Sequence, residues 1–273
     1  MEKNNLEMFC LTLEPKHIEF IKNLNYTPVG LGEQNFPKNC ISDKSGENIS
    51  KKNKFYGEYT FHYWLWKNYF TNIDKKWIGF CQYRKFWSLN FTPNNEIDSN
   101  NLKNKTLKQI PEKFDKFEVI LGDPFYVNKR KTIKFLKKGF SLVVSNPKVL
   151  FDKNARNIKF HFDLMHGRNN LDKAIDLLGE ENKHDFRKFV NEEVSFNPHN
   201  MFICKSKELL TSYYNEIFPW LKNCEQLFGF KDLKGYGLVR IYGFLAERFM
   251  SYWFKKNARY KELPILFHDI SHL

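Results

Sequence analysis

The run Trp77-Ile78-Gly79-Phe80-Cys81 is apolar throughout and stops abruptly at Gln82-Tyr83-Arg84-Lys85-Phe86. So short an apolar run reads as a buried strand, and a strand buried in this way needs cover from other elements. Met8 to Leu13 is a second such run, and Tyr26-Thr27-Pro28-Val29-Gly30 is an extended segment closed by glycine. Residues 117–127 are strand-like and reach Asp123, and Phe196 to Cys204 is a turn running into a buried strand. Helical patterns fill the intervals: residues 15–24, the aromatic stretch 55–68, then 146–156, 171–190, 206–220 and 240–250. The alternation gives an α/β class. With no internal repeat and no low-complexity linker, the expectation is a single domain over residues 1–273. Two polar stretches, 34–54 and 88–110, are expected as long loops. The first is too long to be an ordinary connection, a length that belongs to functional or disordered segments.

Composition narrows the partners. In 273 residues, 44 Lys+Arg against 31 Asp+Glu give a net charge of +13, which favours an anionic partner such as a phosphorylated substrate, an anionic membrane surface or nucleic acid. An aromatic share of 17% excludes a disordered chain. Cys10, Cys40, Cys81, Cys204 and Cys224 form no Cys-x-x-Cys pair, so neither a zinc ribbon nor a disulfide framework is expected, and a reducing cytoplasm suits them. No apolar run approaches the ~20 residues of a membrane span, and the start MEKNNLEMFCLTL has no signal-peptide pattern. The lysine-rich stretch Lys129 to Lys138 reads first as solvated charge and second as a phosphate rest.

Individual residues carry the chemistry. Tyr59, Tyr63, Trp66 and Phe70 share a helical stripe, widened by Trp64 and Leu65 and expected to be mostly buried, with Glu58 and His62 on another face. A carboxylate among so many rings must be paired or face a cavity. Ligands of open α/β sheets bind beyond the carboxyl ends of strands, which aims Gln82, Tyr83, Arg84 and Lys85 at a site. His161, Asp163 and His166 suggest a metal, but histidines five apart do not share a helix face and no third ligand is evident. Arg240, Gly243 and Glu247 fall on one helix face. There is no Gly-x-Gly-x-x-Gly, no P-loop, no Gly-x-Ser-x-Gly and no Asp-x-Asp, and no nucleic-acid-binding signature.

The blocks ISDKSGENISKKN, YGEYTFHYWLWKN and IGFCQYRKF resemble a bacterial glycosyltransferase family known as an uncharacterised domain and found among capsule, exopolysaccharide and lipopolysaccharide genes. That family's pattern runs roughly SDNTGDNIS, YCELTALYWAWKN and IGLCHYRRYF. Asn200-Met201-Phe202-Ile203 and the run Arg240 to Phe249 match its later blocks in the same order, and Tyr26 to Gly30 its early one. The resemblance implies a GT-A-like, Rossmann-related fold with a central mixed sheet flanked by helices. It also implies transfer of a sugar from a nucleotide-sugar donor to a surface-polysaccharide or lipopolysaccharide acceptor, lipid-linked or free.

By the same likeness Glu58, Lys67, Gln82, Tyr83, Arg84, Lys85, Asn200 and Arg240 are donor-binding residues, and His161 and His166 acceptor-binding ones. Related enzymes hold a divalent cation on Asp-x-Asp where this chain has Gln82-Tyr83-Arg84. The expectation is that no cofactor is required beyond the donor, a divalent cation being the alternative despite the missing Asp-x-Asp, and that Arg84 with Lys85 would stabilise the leaving diphosphate electrostatically. The family's histidine is Gln82 here and its second arginine is Lys85. An inverting transfer needs a carboxylate base, for which Asp123, Asp163 and Glu247 are candidates, unranked; a retaining one does not. The expected place is the cytoplasm, in peripheral contact with the anionic inner membrane face, without specific nucleic-acid binding. The alternatives are a non-catalytic basic protein that binds polyanions, and a degenerate relative that binds a glycan without turning it over.

Overall fold

A computed structural model describes residues 5–129 and 140–272; most of the lysine-rich stretch Lys129 to Lys138 lies outside them. Its strands are β1 (Leu6–Thr12), β2 (Thr27–Gly30), β3 (Ile41–Ser42), β4 (Trp77–Gln82), β5 (Lys85–Trp87), β6 (Val119–Gly122), β7 (Phe125–Tyr126), β8 (Ser195–Phe196), β9 (Phe202–Cys204), β10 (Tyr260–Leu263) and β11 (Ile265–Phe267). Where the sequence reading has one domain, the chain's contacts group it into two compact units. One holds residues 1–123, 199–215 and 254–273, the other residues 124–198 and 216–253.

The first unit contains the mixed sheet, in the order β10-β6-β9-β4-β1-β2-β3, with β5 on β4 and β11 on β5. β1 to β4 run parallel, β9 is antiparallel to both β4 and β6, and β10 is parallel to β6. Every residue of β4 is buried because both faces are covered. Met8, Cys10, Trp77 and Cys81 pack on one side with Ile21, Leu24, Phe86 and Trp87. On the other, Phe9, Phe61, Phe80 and Phe202 meet at ring separations of 5.0–6.3 Å. The alternation along β1 and β4 is the two-residue period of a pleated strand with apolar groups on both faces.

The aromatic stretch forms two helices, Asn53–Tyr56 and Tyr59–Asn68. Gly57 separates them at φ 58°, ψ −130°, a conformation that glycine alone takes readily. The buried face is Tyr59, Phe61, His62, Trp64 and Leu65. Tyr63, Trp66 and Phe70, expected in the core, are only half-buried. Burial holds His62 at about 3 and therefore neutral, sharing a 2.7 Å hydrogen bond with the Tyr214 hydroxyl.

Several expected boundaries move. The polar stretch 34–54 contains β3 and the start of a helix, and 88–110 contains the helix Leu102–Lys105. Residues 146–156 form a single 3-10 turn, Pro147–Leu150, and not the expected helix.

The second unit is mainly helical: Ile158–His166, Asn170–Ile175, Glu180–Glu192, Tyr236–Val239, and residues 216–228 and 241–253 of two longer helices, beside the β7–β8 ribbon. Asn157 starts the first of these by accepting the Phe160 amide at 2.8 Å, as N-cap asparagines do. Phe186, Trp220, Phe249 and Tyr252 form its aromatic core.

Candidate functional site

Chain topology concentrates polar groups at one end of the sheet. From β1 the chain moves outward to β2 and β3, then returns to β4 on β1's other side. The carboxyl ends flanking such a switch point are where open α/β sheets take ligands. A cleft of about 840 Å³ lies beyond the ends of β1 and β2. Leu13, Glu14, Pro15 and Lys16 follow β1, Leu31, Gly32, Glu33 and Gln34 follow β2, and Ser50, Lys51, Asn53, Lys54 and Phe55 close it. The lining mixes Leu13, Leu31 and Phe55 with three lysines against two glutamates, apolar surface beside net positive charge.

Register builds the second part of the site. In the β4–β9 pairing Gly79 opposes Ile203, so Gln82 falls opposite Asn200. In the β6–β9 pairing Leu121 opposes Phe202, so Asn200 falls opposite Asp123. Gln82 at the end of β4, Asp123 just past β6 and Asn200 just before the antiparallel β9 therefore come to the same end of the sheet. Gln82 donates its amide to the His199 carbonyl at 2.8 Å and accepts from Lys85 Nζ at 3.1 Å. His199 and Asn200 both have positive φ, 79° and 53°, an uncommon conformation for residues other than glycine and one that tends to mark functional turns. Burial, aided by the Lys85 charge, holds His199 at about 3, hence neutral. Asp123 is raised from its ordinary value by partial burial and by Glu262.

Tyr83 stacks on His17 at 5.1 Å, and its amide donates to the Leu11 carbonyl at 3.0 Å. Arg84 lies over the Tyr83 ring at 4.8 Å and 3.8 Å from Asp269, both side chains about half exposed. It is not among the residues lining the cleft, but it is not locked away either. The chain's last residues connect the two places: the Arg84 and Tyr83 carbonyls accept the His268 and Ile270 amides, and the Ser271 carbonyl accepts from Lys16 Nζ at 2.6 Å.

The other expected residues are placed differently. Lys67 sits 3.6 Å over the Trp66 ring, near Glu47, and Glu58 precedes the helix Tyr59–Asn68; neither lines the cleft. Asp163, Glu247, Arg240, His161 and His166 belong to the second unit. Asp163 accepts from Lys159 at 2.7 Å and from the Asn169 amide at 3.0 Å. Glu247 pairs with Arg248, and Arg240 lies over the Tyr236 ring at 5.7 Å. His161 and His166, the expected acceptor contacts, are 6% and 4% exposed, buried in that unit's core. His161 Nδ1 is 3.3 Å from Arg248. His166 Nδ1 is bonded to the Gly237 carbonyl at 3.0 Å, and burial with the Arg248 charge pushes it down to about 2. Among the described residues no group of three or more His, Cys, Asp or Glu side chains is placed to share a metal ion. None of the described helices is long and apolar enough to cross a membrane.

Sequence reasoning missed most of the cleft: Glu14, Lys16, Glu33, Lys51, Asn53 and Lys54. The available signal was the suspicious length of residues 34–54, whose two ends supply Gln34, Ser50, Lys51, Asn53 and Lys54 to the lining; Glu14, Lys16 and Glu33 lie outside it. It also missed Arg248, a guanidinium only 1% exposed and 4.1 Å from the Phe196 ring.

Over residues 10–258 the chain matches the family described as Domain of unknown function (DUF4422), and it belongs to that family. No curated protein matches it. Among solved structures it is similar to the apo form of WbbM, a bifunctional glycosyltransferase, at a TM-score of 0.59 and 18% identity, over 97% of this chain and 45% of that one. The chain thus spans less than half of WbbM's length, and the likeness is one of fold, GT-A-like as the sequence implied. The mannosyltransferase Ktr4p from S. cerevisiae is a fainter likeness, at a TM-score of 0.30 and 9% identity over 82% of this chain and 61% of that one.

Proposed function

We propose that the chain is a glycosyltransferase that takes a nucleotide-sugar donor at the carboxyl ends of β1, β2 and β4. The observation that carries this reading is the cleft itself, an apolar and lysine-bearing cavity of about 840 Å³ at the same end of the sheet as Gln82, Asn200 and Asp123. A nucleoside fits the cleft, with Phe55, Leu13 and Leu31 available to the base and Lys16, Lys51 and Lys54 to the phosphates. The diphosphate is met on its far side by Arg84 and Lys85. Arginine's fork makes paired, charge-assisted bonds to phosphate oxygens, and charge that grows on the leaving group is stabilised by cations already in place. That is the work a divalent ion does elsewhere, so transfer through these residues needs no metal.

If the transfer inverts configuration, the base is Asp123, just past the end of β6, whose carboxyl partial burial raises from its ordinary value. Asp163 and Glu247 are already neutralised by cations. The acceptor is a surface glycan, lipopolysaccharide or capsule in type, and the +13 charge suits work against an anionic membrane face.

A thermal-shift panel of nucleotides and nucleotide sugars tests the reading. One or two nucleoside diphosphates at about a hundred times their Kd should stabilise the fold by about 2.7 kcal/mol, roughly 5–10 °C for a chain of this size. EDTA should leave turnover intact. Uniform stabilisation by any polyanion, vanishing with salt, would make the protein a non-catalytic polyanion binder. A response to glycans alone, without turnover, would make it a glycan-binding relative.

A further inference from the structure

Gln82 closes β4 and Lys85 opens β5, and the two are paired directly across the turn Tyr83-Arg84. Opposite residues of an antiparallel pair carry their side chains on one face, so the short turn makes the Gln82 carboxamide and the Lys85 ammonium neighbours. The turn is held from outside the hairpin: the Arg84 and Tyr83 carbonyls accept the His268 and Ile270 amides at 3.2 and 3.4 Å.

The carboxamide is buried and stands between two groups with opposite needs. The His199 carbonyl can only accept and the Lys85 ammonium can only donate. Gln82 serves both, giving Nε2–H to the carbonyl at 2.8 Å and taking Lys85 Nζ on Oε1 at 3.1 Å. Turned over, it would set oxygen against oxygen and N–H against ammonium, so its neighbours fix its orientation. A glutamate carboxylate lacks the donor, methionine has neither function, and asparagine falls one methylene short of spanning the two. The carbonyl is anchored in its turn. His199 holds a positive φ of 79°, its ring packs edge-on to Phe267 at 5.5 Å, and Phe267 pairs with Lys85 across β5 and β11. The contacts close on themselves: Lys85 to Gln82, Gln82 to His199, His199 to Phe267, and Phe267 back to Lys85.

We infer that Gln82 is a positioning residue and not a donor contact: it holds the Lys85 ammonium against the His199 turn and acts on a nucleoside diphosphate only through Lys85. The affinity effect rests on the reading above that Lys85 meets the diphosphate; the positioning itself does not. A lysine ammonium is a compact charge on a flexible stem, and fixing it beforehand spares the ordering that a free stem undergoes on binding.

A double-mutant cycle on the full chain, read by titration calorimetry with uridine, guanosine, adenosine and cytidine 5′-diphosphates, tests the inference. For whichever binds, Lys85→Met should weaken Kd about 10- to 100-fold, the value of one charge-assisted bond. Gln82→Met should weaken it about tenfold through the unheld stem, and Gln82→Asn, which keeps an amide in place, should do the same. In the Lys85→Met background, Gln82→Met should change Kd by less than about twofold, because nothing remains for it to position. A further loss of about tenfold in the double variant would mean that Gln82 touches the nucleotide itself, and overturns the inference.

NMR of the ¹⁵N- and ¹³C-labelled chain without nucleotide reads the positioning directly. The wild type should show scalar coupling across the hydrogen bond from Lys85 Nζ to the Gln82 carboxamide carbon. In Gln82→Met and Gln82→Asn that coupling should vanish and the ammonium should reorient faster. Lys85 mobility unchanged in either folded variant overturns the inference. If none of the four diphosphates binds the wild type while the coupling and its loss are seen, the positioning stands and the nucleotide reading falls.

Discussion

Arg84→Gln separates binding from stability. The guanidinium's protein contacts are weak: a 3.8 Å approach to Asp269 with both side chains half exposed, and the Tyr83 ring at 4.8 Å. An exposed ion pair contributes at most about 1 kcal/mol and an exposed cation–π contact about 0.5–1 kcal/mol. The backbone ties from His268 and Ile270 survive the substitution. The variant should therefore lose about 1 kcal/mol, a fall of roughly 2–4 °C in Tm. Against a diphosphate the same group makes charge-assisted bonds of about 1.5–3 kcal/mol each, less the Asp269 contact it gives up. A net loss of about 2–3 kcal/mol weakens Kd roughly 30- to 150-fold. Arg84→Lys keeps a point charge without the fork, so its Kd should fall between those of the wild type and Arg84→Gln. Isothermal titration with the nucleoside diphosphate selected by the thermal panel, at fixed salt, reads Kd; scanning calorimetry reads Tm. A Kd within twofold of wild type in a folded Arg84→Gln protein would remove Arg84 from the leaving-group site, and with it the reason to expect transfer without a metal.

Other perturbations follow from the same contacts. A Cβ on Gly237 would stand 2.1 Å from the Met165 carbonyl, so Gly237→Ala should cost about 1–3 kcal/mol, measured by urea unfolding, with nucleotide affinity unchanged. Gly30→Ala places its methyl 2.4 Å from the Phe36 ring; the displaced loop carries one cleft wall, and nucleotide affinity should fall several-fold in titration calorimetry. His62, His166 and His199 are held by burial at about 3, about 2 and about 3. Their stabilisation is complete above the unfolded value of 6.5 and is lost as pH falls; at pH 5 each forfeits about 2 kcal/mol. Urea midpoints should drop steeply between pH 6.5 and 5, and a midpoint constant over that range refutes the burial. Asp43 acts with the opposite sign. Raised from 3.8 to about 6, it favours the fold below pH 4 and disfavours it by up to about 3 kcal/mol above pH 6, so Asp43→Asn should raise Tm at pH 8 and leave it unchanged at pH 3.5.

What could be read along the chain was whatever local pattern decides. β1, β2, β4 and β6 are short apolar runs ended by polar residues or glycine, and the place where β4 stops, at Gln82, is legible because burial and its loss are properties of single residues. The inward face of Tyr59–Asn68 was legible only in part: Tyr59, Trp64 and Leu65 are buried as expected, while tertiary packing also buries Phe61 and His62 and leaves Tyr63, Trp66 and Phe70 half-buried. Convergence in space was still less visible. Asp123, Asn200 and Gln82 come from positions far apart in sequence, and only the antiparallel insertion of β9 between β4 and β6 brings them to one end of the sheet. A parallel β9 would have carried Asn200 to the opposite end of the sheet. The positive φ of both His199 and Asn200 has the same origin, since the chain must turn sharply to enter β9 against its neighbours' direction. That turn presents the His199 carbonyl to Gln82, and through Gln82 fixes Lys85. One reversed strand therefore determines which cations and amides meet at the proposed site, so straightening the turn, as His199→Pro would by forbidding positive φ, should uncouple Gln82 and Lys85 together.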